Sequence, residues 1–268
     1  MILQSMTPEE KIRQMEKLQP YVKTLAARAA QKDFNALKRA TRYPAYLFLP
    51  EKEITGMGKW TVVVVADTRG NVMKGQYTYL AFQTFHVTHS KNPINNGKGI
   101  WVCHPQIGLG VWCNEYPPHY FSRLRERLIE PRGIVQPDFL QLVRELFRLH
   151  HHSMNVINEG TAIKKGEDGL YDVVKDESLQ RQPGYDNFAS YHKEGISLGV
   201  CFNRRYYLHT TFVSNDLLKR SQVEMQKENL AEANNHDFRL RYDKEATFME
   251  EKAVDGHVEF GLERKPKK

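Results

Sequence analysis

Pro117-Pro118-His119-Tyr120-Phe121-Ser122-Arg123-Leu124-Arg125-Glu126-Arg127-Leu128 marks the point where this chain changes its hydrophobic period. Proline suits the first helical position, because its missing N–H would have no partner there anyway. Tyr120, Leu124 and Leu128 then recur at steps of four and form an apolar line. His119, Arg123 and Arg127 form a polar line beside it. Upstream of the prolines the pattern is that of strands. Trp60-Thr61-Val62-Val63-Val64-Val65-Ala66-Asp67 reads as a buried strand, closed by the turn chemistry of Thr68-Arg69-Gly70-Asn71. Gln76 to His89 is β-rich and aromatic, with Tyr77, Tyr79, Phe82 and Phe85. Beyond the loop Asn92-Pro93-Ile94-Asn95-Asn96-Gly97, the runs Gly99 to Cys103 and Gly108 to Cys113 complete an antiparallel meander of about four strands.

Downstream the chain stays helical for one more element. Pro137 opens a helix that runs through Phe139, Leu140, Leu142, Val143, Leu146 and Phe147 to His150. Short strands are expected at Leu170 to Val174, Ser197 to Cys201 and Tyr206 to Val213, the last two joined across Asn203-Arg204. Ser214-Asn215-Asp216 caps a charged helix through about Asn229. At the other end, Thr7-Pro8-Glu9-Glu10 combines an N-cap, a first-turn proline and a capping box. It starts a helix to about Gln31, with a short one after it from Asp33 to Thr41. The fold class is therefore α+β: N-terminal helices, an antiparallel β-meander, two helices, a second small antiparallel sheet and a C-terminal helix. The chain divides into four segments: 1–58 helical, 59–116 the meander, 117–230 helix–helix–sheet, and 231–268 a charged tail. The tail has too few apolar side chains to offset its ordering entropy and is expected to be loosely held and cut first by protease.

A length of 268 residues with 40% hydrophobic and 26% charged side chains describes a globular chain able to bury a real core. No apolar run approaches the roughly 18 residues that cross a membrane, so no membrane partner is expected. The N-terminal Met1-Ile2-Leu3-Gln4-Ser5-Met6 is too short for a signal h-region, and nothing suggests export. Cys103, Cys113 and Cys201 form no CxxC pair and read as reduced thiols of a cytoplasmic protein. The net charge of +7 is unevenly spread. Residues 1–149 hold 21 Lys/Arg against 12 Asp/Glu, and residues 150–268 hold 18 against 20. Arg28, Lys32, Lys38, Arg39 and Arg42 concentrate charge near the start. Such asymmetry suits a polyanion partner, RNA first, with a protein partner or a merely solvated surface as alternatives.

The polar line on the helix and the strand Tyr206-Tyr207-Leu208-His209-Thr210-Thr211-Phe212-Val213 together hold what metal-free RNA cleavage requires. Histidine titrates near neutrality, so His119 or His209 could serve as base for the 2′-hydroxyl and acid for the leaving oxygen. Arg123 and Arg127 offer fixed positive charge and a planar fork for the scissile phosphate. Glu126 lies on a neighbouring face, three residues from Arg123. Strict alternation puts His209 and Thr211 on one side of the strand and Leu208, Thr210 and Phe212 on the other. The apolar side is the core side, so His209 and Thr211 are expected to face a cleft or solvent. The plainer alternative is a solvated helix face and an outward polar strand face.

The order of these elements, a helix with His-x-x-x-Arg-x-x-Glu-Arg, a second helix and a small sheet ending in Thr-Thr-Phe-Val-Ser, resembles the RelE/barnase-like superfamily of endoribonuclease toxins. The resemblance covers roughly Pro117 to Ser214. It implies metal-free endoribonuclease activity, with His119, Arg123, Glu126, Arg127 and the Thr210/Thr211 pair at matching positions. The preceding meander and the insert Gly166 to Tyr185 depart from that pattern. A non-catalytic module that binds protein or nucleic acid through the same basic face is the competing expectation.

Nothing in the sequence calls for a cofactor or a metal. His150-His151-His152 are adjacent on a helix, point about 100° apart and cannot chelate together, so capping of the helix C-terminus is the simpler role. Cys103, His104 and Cys113 lack zinc spacing. His86 and His89 read as hydrogen-bonded surface histidines. Gly108-Leu109-Gly110 precedes a strand and is no phosphate loop.

Overall fold

The computed structural model describes residues 2–231 apart from 89, 92, 107–109, 135, 151–153, 159–160, 176–183, 225 and 229. The chain is α+β and divides into two compact units. The first comprises Met1–His86 and Lys98–Glu115; the second comprises Val87–Gly97 and the described residues from Tyr116 onward. The tail from residue 232, His89, His151 and His152, Leu109 and part of the Gly166 to Tyr185 insert lie outside the described residues.

In the first unit α1 (Pro8–Lys32) starts as its sequence dictates. The Thr7 hydroxyl accepts the Glu10 N–H at 3.3 Å, and the Glu10 carboxylate accepts the Thr7 N–H at 2.8 Å. Two of the orphan N–H groups of the first turn are thereby satisfied. Met15, Leu18 and Val22 on one face are fully buried. A short α2 (Phe34–Lys38) comes next. The stretch read as the rest of a helical segment instead forms β1 (Ala45–Phe48) and β2 (Lys52–Ile54). Both pair antiparallel with β3 (Gly58–Ala66), whose Val62 to Ala66 run is buried. The Thr68–Asn71 stretch, expected as a turn, caps a one-turn helix, α3 (Arg69–Met73), through the Thr68 hydroxyl. β4 (Thr78–Val87), β5 (Gly97–Gln106) and β6 (Gly110–Tyr116) then continue the meander, giving the strand order β1-β3-β4-β5-β6.

A buried ion pair closes this unit. Lys11, 5% exposed, places its ammonium 2.7 Å from the Glu115 carboxylate, which also accepts the Trp101 indole N–H at 2.6 Å. The charge-assisted bonds offset the desolvation that each ion suffers on leaving water.

The second unit opens with α4 (Pro118–Leu124). It does not run on as one α-helix. A wide π turn, Arg125–Ile129, and a 3₁₀ turn, Glu130–Arg132, come after it, and Gly133 in the left-handed region (φ 77°) ends the helical stretch. α5 (Phe139–His150) is capped by Asp138, whose carboxylate accepts the Gln141 N–H at 2.7 Å while the Gln141 side chain accepts the Asp138 N–H. The strands are β7 (Met154–Asn158), β8 (Thr161–Lys165), β9 (Tyr171–Lys175), β10 (Tyr185–His192), β11 (Gly195–Phe202) and β12 (Tyr206–Ser214). β8 and β9 form a separate hairpin, while the other four lie in the order β12-β11-β10-β7, antiparallel throughout. Helical residues return at 220–224 and 226–228. No helix among the described residues is long and apolar enough to cross a membrane.

Candidate functional site

Two local irregularities separate the residues that the sequence places together. The first is the π turn. Steps of four share a face only while the helix keeps 3.6 residues per turn, and a π turn adds a residue and rotates every side chain beyond it. Arg123 therefore stays outward and pairs with the Glu126 carboxylate at 2.8 Å, with 35% and 57% of the two side chains exposed. Arg127 swings inward. Its guanidinium donates to the Phe212 carbonyl at 2.6 Å and lies 5.6 Å from the Tyr171 ring centre. His119 is half-buried and hydrogen-bonded to the Thr210 backbone. Burial holds its pKa below the usual histidine value, the Thr210 bond opposes that, and the Arg123 charge adds to it. His119 and Arg127 thus fasten the helical stretch to the β12 backbone, two residues apart.

The second irregularity is a β-bulge. β11 and β12 pair as Leu198↔Thr211 and then Gly199↔His209, so Thr210 is an extra residue, its hydroxyl donating to the Leu198 carbonyl at 3.0 Å. The bulge shifts the alternation by one, which brings His209 and Phe212 to the same face. The expectation that His209 faces a cleft or solvent is therefore corrected: it is 1% exposed and stacks on Tyr116 at 4.2 Å between ring centres. Thr211 is half-buried. A base or acid sealed in this way has no access to a substrate hydroxyl, so the structure does not assemble His119, Arg123, Glu126, Arg127, His209 and Thr211 into one solvent-facing site.

His209 belongs instead to a buried aromatic and imidazole cluster that the sequence did not announce. His150 packs 4.2 Å from His192 and 5.1 Å from His209, ring centre to ring centre, and Phe188 meets His209 edge-on at 4.9 Å. His150, expected to cap its helix, reaches the Tyr120 hydroxyl at 3.3 Å. A chain of hydrogen bonds crosses the cluster. The Leu149 carbonyl can only accept, so His192 Nδ1 donates to it at 3.2 Å. His192 Nε2 must then accept the Ser197 hydroxyl at 2.9 Å, and Ser197 Oγ accepts the Tyr120 hydroxyl at 2.5 Å. Gln226 donates to the His192 carbonyl. Burial pushes His192 down to about 3 and Tyr120 well up, so both stay neutral. Tyr120, His192 and Ser197 are fully buried, so the serine–histidine pair is a link inside the core and not a solvent-facing one. The thiols are equally withdrawn: burial raises Cys103 and Cys201 to about 12 and pushes Cys113 well above the usual thiol value.

Most of the net positive charge lies in the first unit. It holds 14 Lys/Arg against 8 Asp/Glu, a net +6 of the chain's +7. On α1, Arg13, Lys17, Arg28 and Lys32 are all exposed. At about 100° per residue they fall in one sector about 100° wide, outside the arc of about 120° that holds the helix's buried residues. Thr24 and Tyr21, the latter 53% exposed, lie in the same sector, as does Glu10 in the first turn. The stripe occupies residues 13–32 of this 25-residue helix, about 28 Å. Two grooves of about 410 and 390 Å³ border it, and Leu25, Arg28 and Lys52 line both. Glu53 lines the first; Asp33 and Glu51 line the second. Sequence reading found the Arg28–Arg42 end of this surface but not Arg13, Lys17 and Tyr21, whose spacing of four beside the Met15–Val22 apolar line was the available signal.

Compared with family models, curated proteins and solved structures, the chain matches none.

Proposed function

We propose that this protein binds nucleic acid non-catalytically, with the outer face of α1 as its contact surface. The observation that carries this reading is the stripe Arg13, Lys17, Arg28, Lys32 outside the arc of the helix's buried residues. Four exposed cations spread over about 28 Å of helix track a phosphate backbone better than they hold one compact anion. Each phosphate they neutralise releases condensed counterions, so affinity falls as salt rises. RNA is the partner to test first, in keeping with the basic first half of the chain. Changing all four residues to alanine is expected to weaken binding at low salt and to flatten the plot of log affinity against log salt by roughly three units, at about 0.7–0.9 per lost phosphate contact. The same measurement on Arg123→Ala is expected to match wild type, because that guanidinium is engaged by Glu126. Binding that ignores salt, or a four-site variant with an unchanged slope, removes α1 as the interface.

A further inference from the structure

The grooves beside the stripe say which form of nucleic acid this surface takes. We infer that the ligand is single-stranded, with its backbone along the α1 stripe and one base seated in the groove between α1 and β2, against Tyr21. The inference rests on the nucleic-acid reading above and sharpens it.

A surface built only to hold a polyanion has no use for carboxylates or apolar walls. The first groove has both: Tyr21, Leu25 and Ile54 supply aromatic and apolar surface, and Arg28, Lys52 and Glu53 line it too. A phosphate is repelled by Glu53. A base is not, because exocyclic amino groups of the cytosine type donate to carboxylates. The phenol of Tyr21, 53% exposed on a helix rim, offers a flat face to a base that has left its stack. A duplex keeps its bases paired and cannot fill a pocket of about 410 Å³ with one of them. The combination of a cationic track, an exposed aromatic and an adjoining pocket with one carboxylate therefore matches an unpaired strand, with amino-bearing bases preferred at the pocket.

Fluorescence anisotropy of the full-length protein with short fluorescein-labelled oligonucleotides tests this directly, using oligo(C) and oligo(U) RNA, an RNA duplex of equal length, and heparin as competitor. Single strands are expected to bind more tightly than the duplex, and oligo(C) more tightly than oligo(U). Tyr21→Ala is expected to lower single-strand affinity by roughly 5- to 100-fold, the range of one lost base–aromatic stack, with the salt slope unchanged. Tyr21→Phe keeps the ring and should retain affinity. Glu53→Gln is expected to narrow the gap between oligo(C) and oligo(U). Duplex and single strand binding alike, or Tyr21→Ala binding as wild type, overturns the inference and leaves the general polyanion reading standing. Absence of binding to every polyanion at low salt overturns both.

Discussion

Acidification should destabilise the second unit through a single buried ring. His192 is fully buried, its two nitrogens are committed to the Leu149 carbonyl and the Ser197 hydroxyl, and burial lowers its pKa to about 3. An unfolded chain restores the usual value near about 6.5. Above roughly pH 6.5 both states carry the neutral ring, and His192 contributes no pH dependence. Below it the unfolded state binds a proton that the folded state refuses, so stability falls with falling pH until about 3, where the folded ring also protonates. The slope in that window is about 1.4 kcal/mol per pH unit, so moving from well above about pH 6.5 to about pH 4.5 removes on the order of 3 kcal/mol. His119, also lowered by burial, acts in the same direction. Urea unfolding monitored by far-UV circular dichroism, at steps from about pH 7.5 to about pH 4.5, gives the curve across the range where the two states differ in bound protons. His192→Gln keeps hydrogen-bonding capacity and removes the titration. It should be less stable near neutral pH but shallower with pH by nearly one proton. A flat wild-type curve, or a variant curve parallel to it, would refute the claim that this ring is held neutral.

The packing sets three further outcomes. Lys11→Met leaves the Glu115 carboxylate buried against Trp101 without its cation, and should cost about 3–5 kcal/mol in urea unfolding. Gly199→Ala puts a methyl group into the Leu208 carbonyl and the Phe188 ring at the bulge, and should cost about 1–3 kcal/mol by the same measurement. Arg127→Ala removes the donor to the Phe212 carbonyl and should cost about 1–3 kcal/mol, whereas Arg123→Ala should stay within about 0.5 kcal/mol, a contrast that a single regular helix face would not produce.

Sequence reading succeeded where one local rule acts alone. Thr7, Pro8 and Glu10 fix the start of α1, and the Val62–Val65 run is apolar on both faces, so it reads as a buried strand in any context. The α+β class rests on such stretches. The reading failed where the answer depends on what lies across the sheet or at the end of a turn. Ala45–Phe48 and Lys52–Ile54 are short, lie close to Pro44 and Pro50, and become strands only because β3 is there to pair with. Alternation along Tyr206 to Val213 cannot reveal that Thr210 is surplus to β11, and it therefore assigns His209 to the wrong face. The four-residue rhythm from His119 to Arg127 likewise hides the π turn beginning at Arg125. Charge was more transparent than geometry: the basic first half was visible by counting, while the face that presents it needed α1's core side to be known.

The first unit is assembled from segments that the ribosome does not deliver together. Lys11 emerges early, yet the carboxylate that neutralises it is 104 residues downstream, and β4 finds its neighbour β5 only after the Val87–Gly97 excursion into the other unit. At the usual rate of roughly 5–20 residues per second, about 5–20 s separate the synthesis of the two partners. During that interval the α1 segment carries a basic outer stripe, an apolar inner face and an ammonium whose carboxylate has yet to be made. Its capping box can form at once, since all its atoms lie within the first turn. The first turn's bonds are therefore available long before the domain is, and any fragment ending before Glu115 retains the stripe but lacks the residue that closes the fold beneath it.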